Sequence, residues 1–234
     1  MKVRGATALV TGANRGIGLA FTRELLARGA RKVYAGARNP SSITLPGVEV
    51  VALDVTRPEQ VAELASRLRD VDLVINNAGV GHAGGFLAAD SEEVARRQLE
   101  TNFFGMLRMS QAFAPVLKAN GGGALLNVLS IVSWMNGGML AAYAASKSAA
   151  WSLTNSLRFE LAPQQTRVVA LHMGFVDTDL VRGFDVAKAT PDEIVGRALD
   201  GLEAGEEEVL ADEPTRQVKR GLAAAAASYL PQHA

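Results

Sequence analysis

The chain has 234 residues, 48% of them apolar, and carries 24 basic against 24 acidic side chains. A net charge of zero removes any bulk electrostatic case for a nucleic-acid or anionic-membrane partner, and neither is expected. There is no cysteine, which excludes disulfides, thiolate nucleophiles and Cys-based zinc or iron–sulfur sites. The histidines His82, His172 and His233 lack metal-ligand spacing, so no metal is expected and redox chemistry would need a borrowed cofactor.

An apolar run at 6–10 comes almost at once and leaves no room for a signal peptide before it, so a cytoplasmic location is expected. A glycine-bearing turn follows, then an amphipathic helix over 16–28 that Gly29 closes. Strands are expected at 32–37 and 48–54. Thr56, with Glu59 three residues on, reads as a capping box for a helix over 58–69, and Asp90 with Glu93 as a similar pair before a long helix over 91–118. A fourth strand lies between them at 71–76. No charge occurs among the 28 residues between Lys118 and Lys147, enough to span a bilayer. Gly121, Gly122, Gly123, Asn127, Ser130, Ser133, Asn136, Gly137 and Gly138 interrupt it, so it reads as a buried strand at 123–130 and a polar loop. A helix over 141–161, stopped by Pro163, strands at 167–173 and 207–211, and a C-terminal helix containing 223–227 complete the series. The acidic cluster 203–208 reads as a solvated loop into the last strand. This βαβα rhythm of short apolar strands predicts one α/β domain, residues 1–234, with a doubly wound, seven-stranded parallel sheet covered by helices on both faces.

Between the first strand and the first helix stands Thr11-Gly12-Ala13-Asn14-Arg15-Gly16-Ile17-Gly18. Gly12 permits a tight turn, Gly16 lets the backbone approach a pyrophosphate, and Gly18 lets the helix pack closely on the strand. A lone glycine pattern means little, but the strand before it and the helix after it make a dinucleotide fingerprint. Asp54-Val55 follows the third strand and Asn76-Asn77-Ala78-Gly79 the fourth. Asn102 lies in the long helix, Ser130 ends the fifth strand, and Tyr143-x-x-x-Lys147 begins thirteen residues later. With these motifs in this order, nearly the whole chain resembles the short-chain dehydrogenase/reductase family.

The resemblance implies a Rossmann-like fold and a catalytic set of Asn102, Ser130, Tyr143 and Lys147. Ser130 would hydrogen-bond the substrate oxygen, Tyr143 exchange the proton, Lys147 also grip the nicotinamide ribose, and Asn102 hold a water leading from Lys147 to solvent. Cofactor contacts would come from Gly12, Asn14, Arg15, Gly16, Ile17, Gly18, Arg38, Asp54, Val55, Asn76, Ala78, Gly79, Tyr143, Lys147, Gly174, Val176 and Thr178. Where the family has Pro-Gly after the sixth strand this chain has Met173-Gly174, which puts the stiffness of that turn in doubt. Independently of the resemblance, Tyr143 and Lys147 are one helical turn apart and share a face. An ammonium beside a phenol of ordinary pKa ~10 is expected to pull that value down.

The second strand ends in Ala37-Arg38 without a carboxylate to bind a ribose 2′-hydroxyl; Arg38 and Arg15 suit a 2′-phosphate, so the expected cofactor is NADP (NADPH). Trp134, Met135, Met139, Leu140, Val181 and Phe184, with Arg182 nearby, would surround a lipophilic small-molecule carbonyl or alcohol. Ser133 is off the family's offset and reads as a loop residue, His82 as a loop histidine, His172 as packing and His233 as tail. The expected activity is that of a carbonyl reductase or alcohol dehydrogenase. The alternative is a catalytically silent NADP-binding regulatory or scaffold protein on the same fold; a sugar-nucleotide epimerase would need more chain after Thr178. Small residues at Ala142, Ala145, Ala149, Ser152 and Ser156 offer a helix face for a homodimer or homotetramer, formed, by the resemblance, from the helices over 91–118 and 141–161.

Overall fold

The structure, a computed structural model, describes residues 1–224, 227, 229 and 230; His233 and part of the helix expected at 223–227 lie outside the described residues. Seven strands form one parallel sheet: β1 (Thr7–Thr11), β2 (Lys32–Ala37), β3 (Glu49–Ala52), β4 (Leu73–Asn76), β5 (Gly123–Val128), β6 (Thr166–His172) and β7 (Glu208–Leu210). Their order is β3-β2-β1-β4-β5-β6-β7. Around them lie α1 (Gly16–Ala27), α2 (Pro58–Arg67), α3 (Ser91–Leu99), α4 (Met106–Ala119), α5 (Ala141–Leu161), α6 (Pro191–Ala204) and α7 (Glu213–Gly221).

Alternation along the strands sorts the core into two layers, because successive side chains point to opposite faces. Ala8, Val10, Ile75, Leu126 and Leu171 face Phe21 and Leu25 of α1 and Ile194 and Leu199 of α6. Leu9, Val74, Leu125 and Val168 face Leu64 of α2, Phe113 of α4 and Leu157 of α5. With both faces covered, the central strands carry apolar residues at nearly every position. The strand order reverses between β1 and β4, which opens a crevice at the carboxyl ends. Gly12, Asn76, Ser130 and Gly174 all stand at or just beyond those ends, as the sequence predicts.

The helices depart from expectation at both capping boxes, in the long helix and toward the C-terminus. Thr56 is no cap: the residue before α2 is Arg57, and Thr56 donates its hydroxyl (2.7 Å) and its amide (3.0 Å) to Asp54 Oδ1. The Asp54 carboxylate thus holds Thr56 in a local turn just before α2, one residue ahead of the cap position. Asp90 stands at the start of α3 but its side chain makes no capping bond. The long helix over 91–118 is broken by a π-turn at Glu100–Gly105, set by side-chain bonds described below. Two helices lie outside the expected set: α6, although Thr190-Pro191-Asp192-Glu193 forms a complete capping box, and α7, whose first turn Asp212 caps through the Thr215 amide. That last helix stops at Gly221, before the alanine run.

Candidate active site

The phosphate cradle is tied to the end of β4 by two side chains. Thr11 Oγ1 accepts from the amides of Asn77 (3.0 Å) and Ala78 (2.9 Å), and Asn77 Nδ2 donates to the carbonyls of Thr11 (2.9 Å) and Gly12 (3.2 Å). Neither residue was singled out from the sequence as a contact, though both belong to the motifs. The resulting approach leaves no room for side chains. A Cβ on Gly18 would sit 2.1 Å from the Gly12 carbonyl oxygen, and Gly12 adopts a φ of +66°, where only glycine is unstrained.

Above the cradle opens a cavity of about 520 Å³. It brings together the expected Gly12, Asn14, Arg15, Gly16, Ile17, Gly18, Arg38, Asp54, Val55, Ala78, Gly79, Tyr143, Lys147 and Thr178, together with Leu53, Thr101, Asp179 and Leu180, which sequence reasoning did not name. Asn76 is elsewhere. Its Nδ2 donates to Asn127 Oδ1 (2.9 Å), and Asn127 Nδ2 in turn donates to Thr154 Oγ1 (3.0 Å), so Asn76 braces β4 to β5 and α5 inside the core. Val176 is buried and its neighbours pair with Ala189, while its carbonyl accepts the Thr178 hydroxyl (3.2 Å). Gly174 also lies off the cavity lining. Its amide donates to Asp212 Oδ2 (2.7 Å) and the Met173 carbonyl accepts from Ile131 N (2.8 Å). Those two bonds supply stiffness where the proline is missing.

At one end of the cavity, Asp54 is half-buried. Burial raises its carboxyl, but two bonds from Thr56 and the charges of Arg38 and Arg57 outweigh that and leave it below the ordinary value. Arg38 is exposed and makes no hydrogen bond or ion pair among the described residues. Arg15 instead reaches across the cavity mouth to Asp179 (3.1 Å), an exposed pair.

At the other end, Lys147 is buried and donates Nζ to the Val128 carbonyl (2.8 Å). The same Nζ stands 5.7 Å from the centre of the Tyr143 ring. Asn102, in the π-turn, accepts from Val80 N (2.8 Å) and donates to Val80 O and Ser146 Oγ (2.9 Å each). The extra residue in that turn aims the amide at both the loop after β4 and α5. The Ser130 hydroxyl stands beside Tyr143, close enough to favour the phenolate, and its Oγ accepts from Val132 N (3.3 Å).

The expected lowering of the phenol is reversed. Burial pushes Tyr143 up to about 12, against the opposing influence of the Ser130 hydroxyl, and burial pulls Lys147 down to about 8. Desolvation disfavours both charged forms, and the lysine directs its ammonium at a carbonyl rather than the phenol. This has a measurable consequence for stability. A lysine lowered from 10.5 to about 8 binds fewer protons folded than unfolded between those values, so the cost of burying its charge is fully present below pH 8. It fades as pH rises toward 10.5. The cost is about 3 kcal/mol, from which loss of the bond to Val128 O subtracts about 1 kcal/mol. Lys147→Met is therefore expected to unfold at higher urea than the parent near neutral pH, with the advantage gone near pH 10.5. A constant difference across that range would contradict a buried ammonium.

Around the expected substrate side, Trp134 is turned inward and stacks on His172 with ring centres 3.9 Å apart. It does not line the cavity. Met139 and Leu180 are exposed, Val181 is buried, and Phe184 packs on Phe175 with centres 5.5 Å apart. Arg182 pairs with Asp179. Ser133 is buried with its carbonyl bound by Ser148 Oγ (2.9 Å), and His82 is exposed. No metal-ligand cluster and no helix long and apolar enough to cross a membrane occur among the described residues.

The short chain dehydrogenase family model matches residues 6–188. The chain belongs to the short-chain dehydrogenase family. It is 32% identical over 199 residues to the 3-oxoacyl-(acyl-carrier-protein) reductase FabG of Vibrio cholerae, covering 81% of each chain. It is 37% identical over 197 residues to 1-deoxy-11-beta-hydroxypentalenate dehydrogenase of Streptomyces exfoliatus, covering 78% of this chain and 72% of that one. A short chain dehydrogenase from Burkholderia cenocepacia J2315, solved in complex with NADP, superposes with a TM-score of 0.93 at 43% identity, over 96% of this chain and 95% of that one. As a family member the chain is an oxidoreductase with the Rossmann-like fold described above.

Proposed function

We propose that this oxidoreductase uses NADP(H) to interconvert a lipophilic ketone or aldehyde and its alcohol. The observation that carries the reading is the meeting, in one cavity, of a glycine cradle with Tyr143 and Lys147, with the Ser130 hydroxyl beside the phenol. The cradle fits the cofactor: Gly16, at a φ of +53°, would carry a Cβ 3.2 Å from Thr178 Cγ2, closing the space a pyrophosphate needs. At the end of β2 the exposed Arg38, with no carboxylate beside it in sequence, suits a 2′-phosphate. The complex of the Burkholderia relative with NADP supports that choice.

Bound NADPH supplies the hydride. Tyr143 supplies the proton to the carbonyl oxygen, and Ser130, beside the phenol, holds that oxygen in line. The charge developing there is met by two donors already in place. Lys147 holds the ribose and supplies the positive charge that the phenolate requires after proton transfer. Asn102 anchors the loop over Gly79 and, through Ser146, the helix carrying both residues. The exposed Leu180, which lines the cavity, favours an apolar substrate.

The exposed small residues Ala145, Ser152 and Ser156 on α5 are the face through which we expect a dimer or tetramer. The functional test is NADPH consumption across a panel of ketones and aldehydes. Turnover of at least one lipophilic member is expected. Tight NADPH binding with no carbonyl reduced would instead mark a silent cofactor-binding protein.

A further inference from the structure

His172 is the last residue of β6 and has no exposed surface. Its Nδ1 lies 3.1 Å from the carbonyl oxygen of Ser130. A carbonyl only accepts, so Nδ1 carries the proton. Burial holds this imidazole neutral, down at about 4, so Nε2 is the lone-pair nitrogen. That atom has no hydrogen-bond partner among the described residues and faces Glu208 Oε1 at 3.7 Å. A buried acceptor left unpaired costs stability, and an aliphatic side chain would fill the same volume without it. Packing alone does not account for a histidine here.

What the imidazole holds is the serine turn. The Ser130 carbonyl also accepts from Ser133 N (3.0 Å), and Ser130 Oγ accepts from Val132 N (3.3 Å). The same imidazole stacks on Trp134, four residues after Ser130, with planes 23° apart. Lys219 of α7, fixed by Glu208 at 2.8 Å, lies over that indole as well. The next residue after His172 begins the Met173–Gly174 turn, whose carbonyl at Met173 is bound by Ile131 N.

We propose that His172 is a positioning residue: its Nδ1–H bond to the Ser130 carbonyl and its stack on Trp134 fix the Ser130 hydroxyl against Tyr143 and keep the serine turn in register with the turn at Gly174. This rests on the function proposed above for Ser130 and Tyr143, but one arm of its test does not. His172→Asn keeps an N–H near the Nδ1 position, His172→Gln moves it one bond outward, and His172→Leu removes it. Amide hydrogen exchange over residues 131–134 reads the turn without turnover. Reduction of isatin, a lipophilic vicinal dicarbonyl, reads the chemistry, and NADPH fluorescence reads cofactor affinity.

The Leu and Gln variants are expected to exchange faster over 131–134. They should lose on the order of 10-fold in kcat, because small misplacements of a catalytic group cost up to ~10²-fold, with NADPH affinity within about twofold of the parent. Asn should restore both the exchange pattern and most of kcat. If Leu leaves exchange and kcat unchanged, or Asn is as impaired as Leu, the proposal is overturned. Should Leu fail to fold, the Asn and Gln pair makes the same comparison. A parent that reduces neither isatin nor any other carbonyl would overturn the proposed activity, and the exchange arm would still decide the role of His172.

Discussion

Tyr143→Phe is expected to lower kcat for carbonyl reduction by ~10²–10⁴-fold, the usual contribution of a positioned general acid, while NADPH affinity stays near the parental value. The substitution keeps the ring and removes only the phenolic oxygen. Nothing in the glycine cradle touches that oxygen, and the Lys147 ammonium keeps its own bond to the Val128 carbonyl, so the cofactor retains its seat. The pKa directions strengthen the case. A phenol pushed up to about 12 stays protonated at neutral pH, as a donor in the reduction direction must be. The reverse direction needs the phenolate, and there the demand on Lys147 is greatest. Stopped-flow mixing with saturating NADPH separates the steps, and a Phe variant reducing isatin at near the parental rate would place the proton source elsewhere.

Arg38→Asp should produce the largest change in cofactor choice. A charge-assisted hydrogen bond contributes ~1.5–3 kcal/mol, so losing it weakens NADPH binding by roughly 10- to 150-fold, and the new carboxylate adds repulsion. NADH, lacking the 2′-phosphate, should bind as well as before or better, since an acid at this place suits a free ribose hydroxyl. Arg15→Ala should have a smaller effect. Arg15 is already paired with Asp179 across the cavity mouth and must give up that contact, whereas Arg38 has none among the described residues to surrender. The exposed Arg15 pair is worth only ~0–1 kcal/mol, so it does not prevent the exchange but trims its gain. Titration of both variants with each cofactor, followed by nicotinamide fluorescence, gives the ratio. Equal losses for NADPH and NADH on Arg38→Asp would make Arg38 structural.

The sheet was legible because its strands report themselves twice, as apolar runs and as intervals between helices. The cradle was legible because Gly12, Gly16 and Gly18 answer to backbone geometry that no other residue satisfies. What escaped were features decided by partners far along the chain. Asn76 and Asn77 are adjacent and chemically identical, yet Asn76 turns inward to Asn127 while Asn77 clasps Gly12; strand alternation separates them, and only the fold says which side carries the cofactor. Trp134 looked like a pocket residue by position and is drawn inward by His172, thirty-eight residues later. The lowering expected of the Tyr143 phenol assumed an ammonium in water, whereas the fold buries both groups and reverses the balance. The capping box at Thr190 was readable and was missed.

The π-turn at Glu100–Gly105 has a geometric consequence. A regular helix advances ~100° per residue, so one additional residue in a turn rotates everything downstream by about that angle relative to what came before. On the near side of the turn Val94 and Gln98 point inward, and on the far side Met109, Phe113 and Val116 do. Between them Asn102 can face the loop and α5 together. Excising one residue there would give a smoother rod with better backbone bonding. It would also swing the Met109–Phe113 ridge away from the sheet, so the irregularity is a phase correction between two surfaces that no unbroken helix could serve at once.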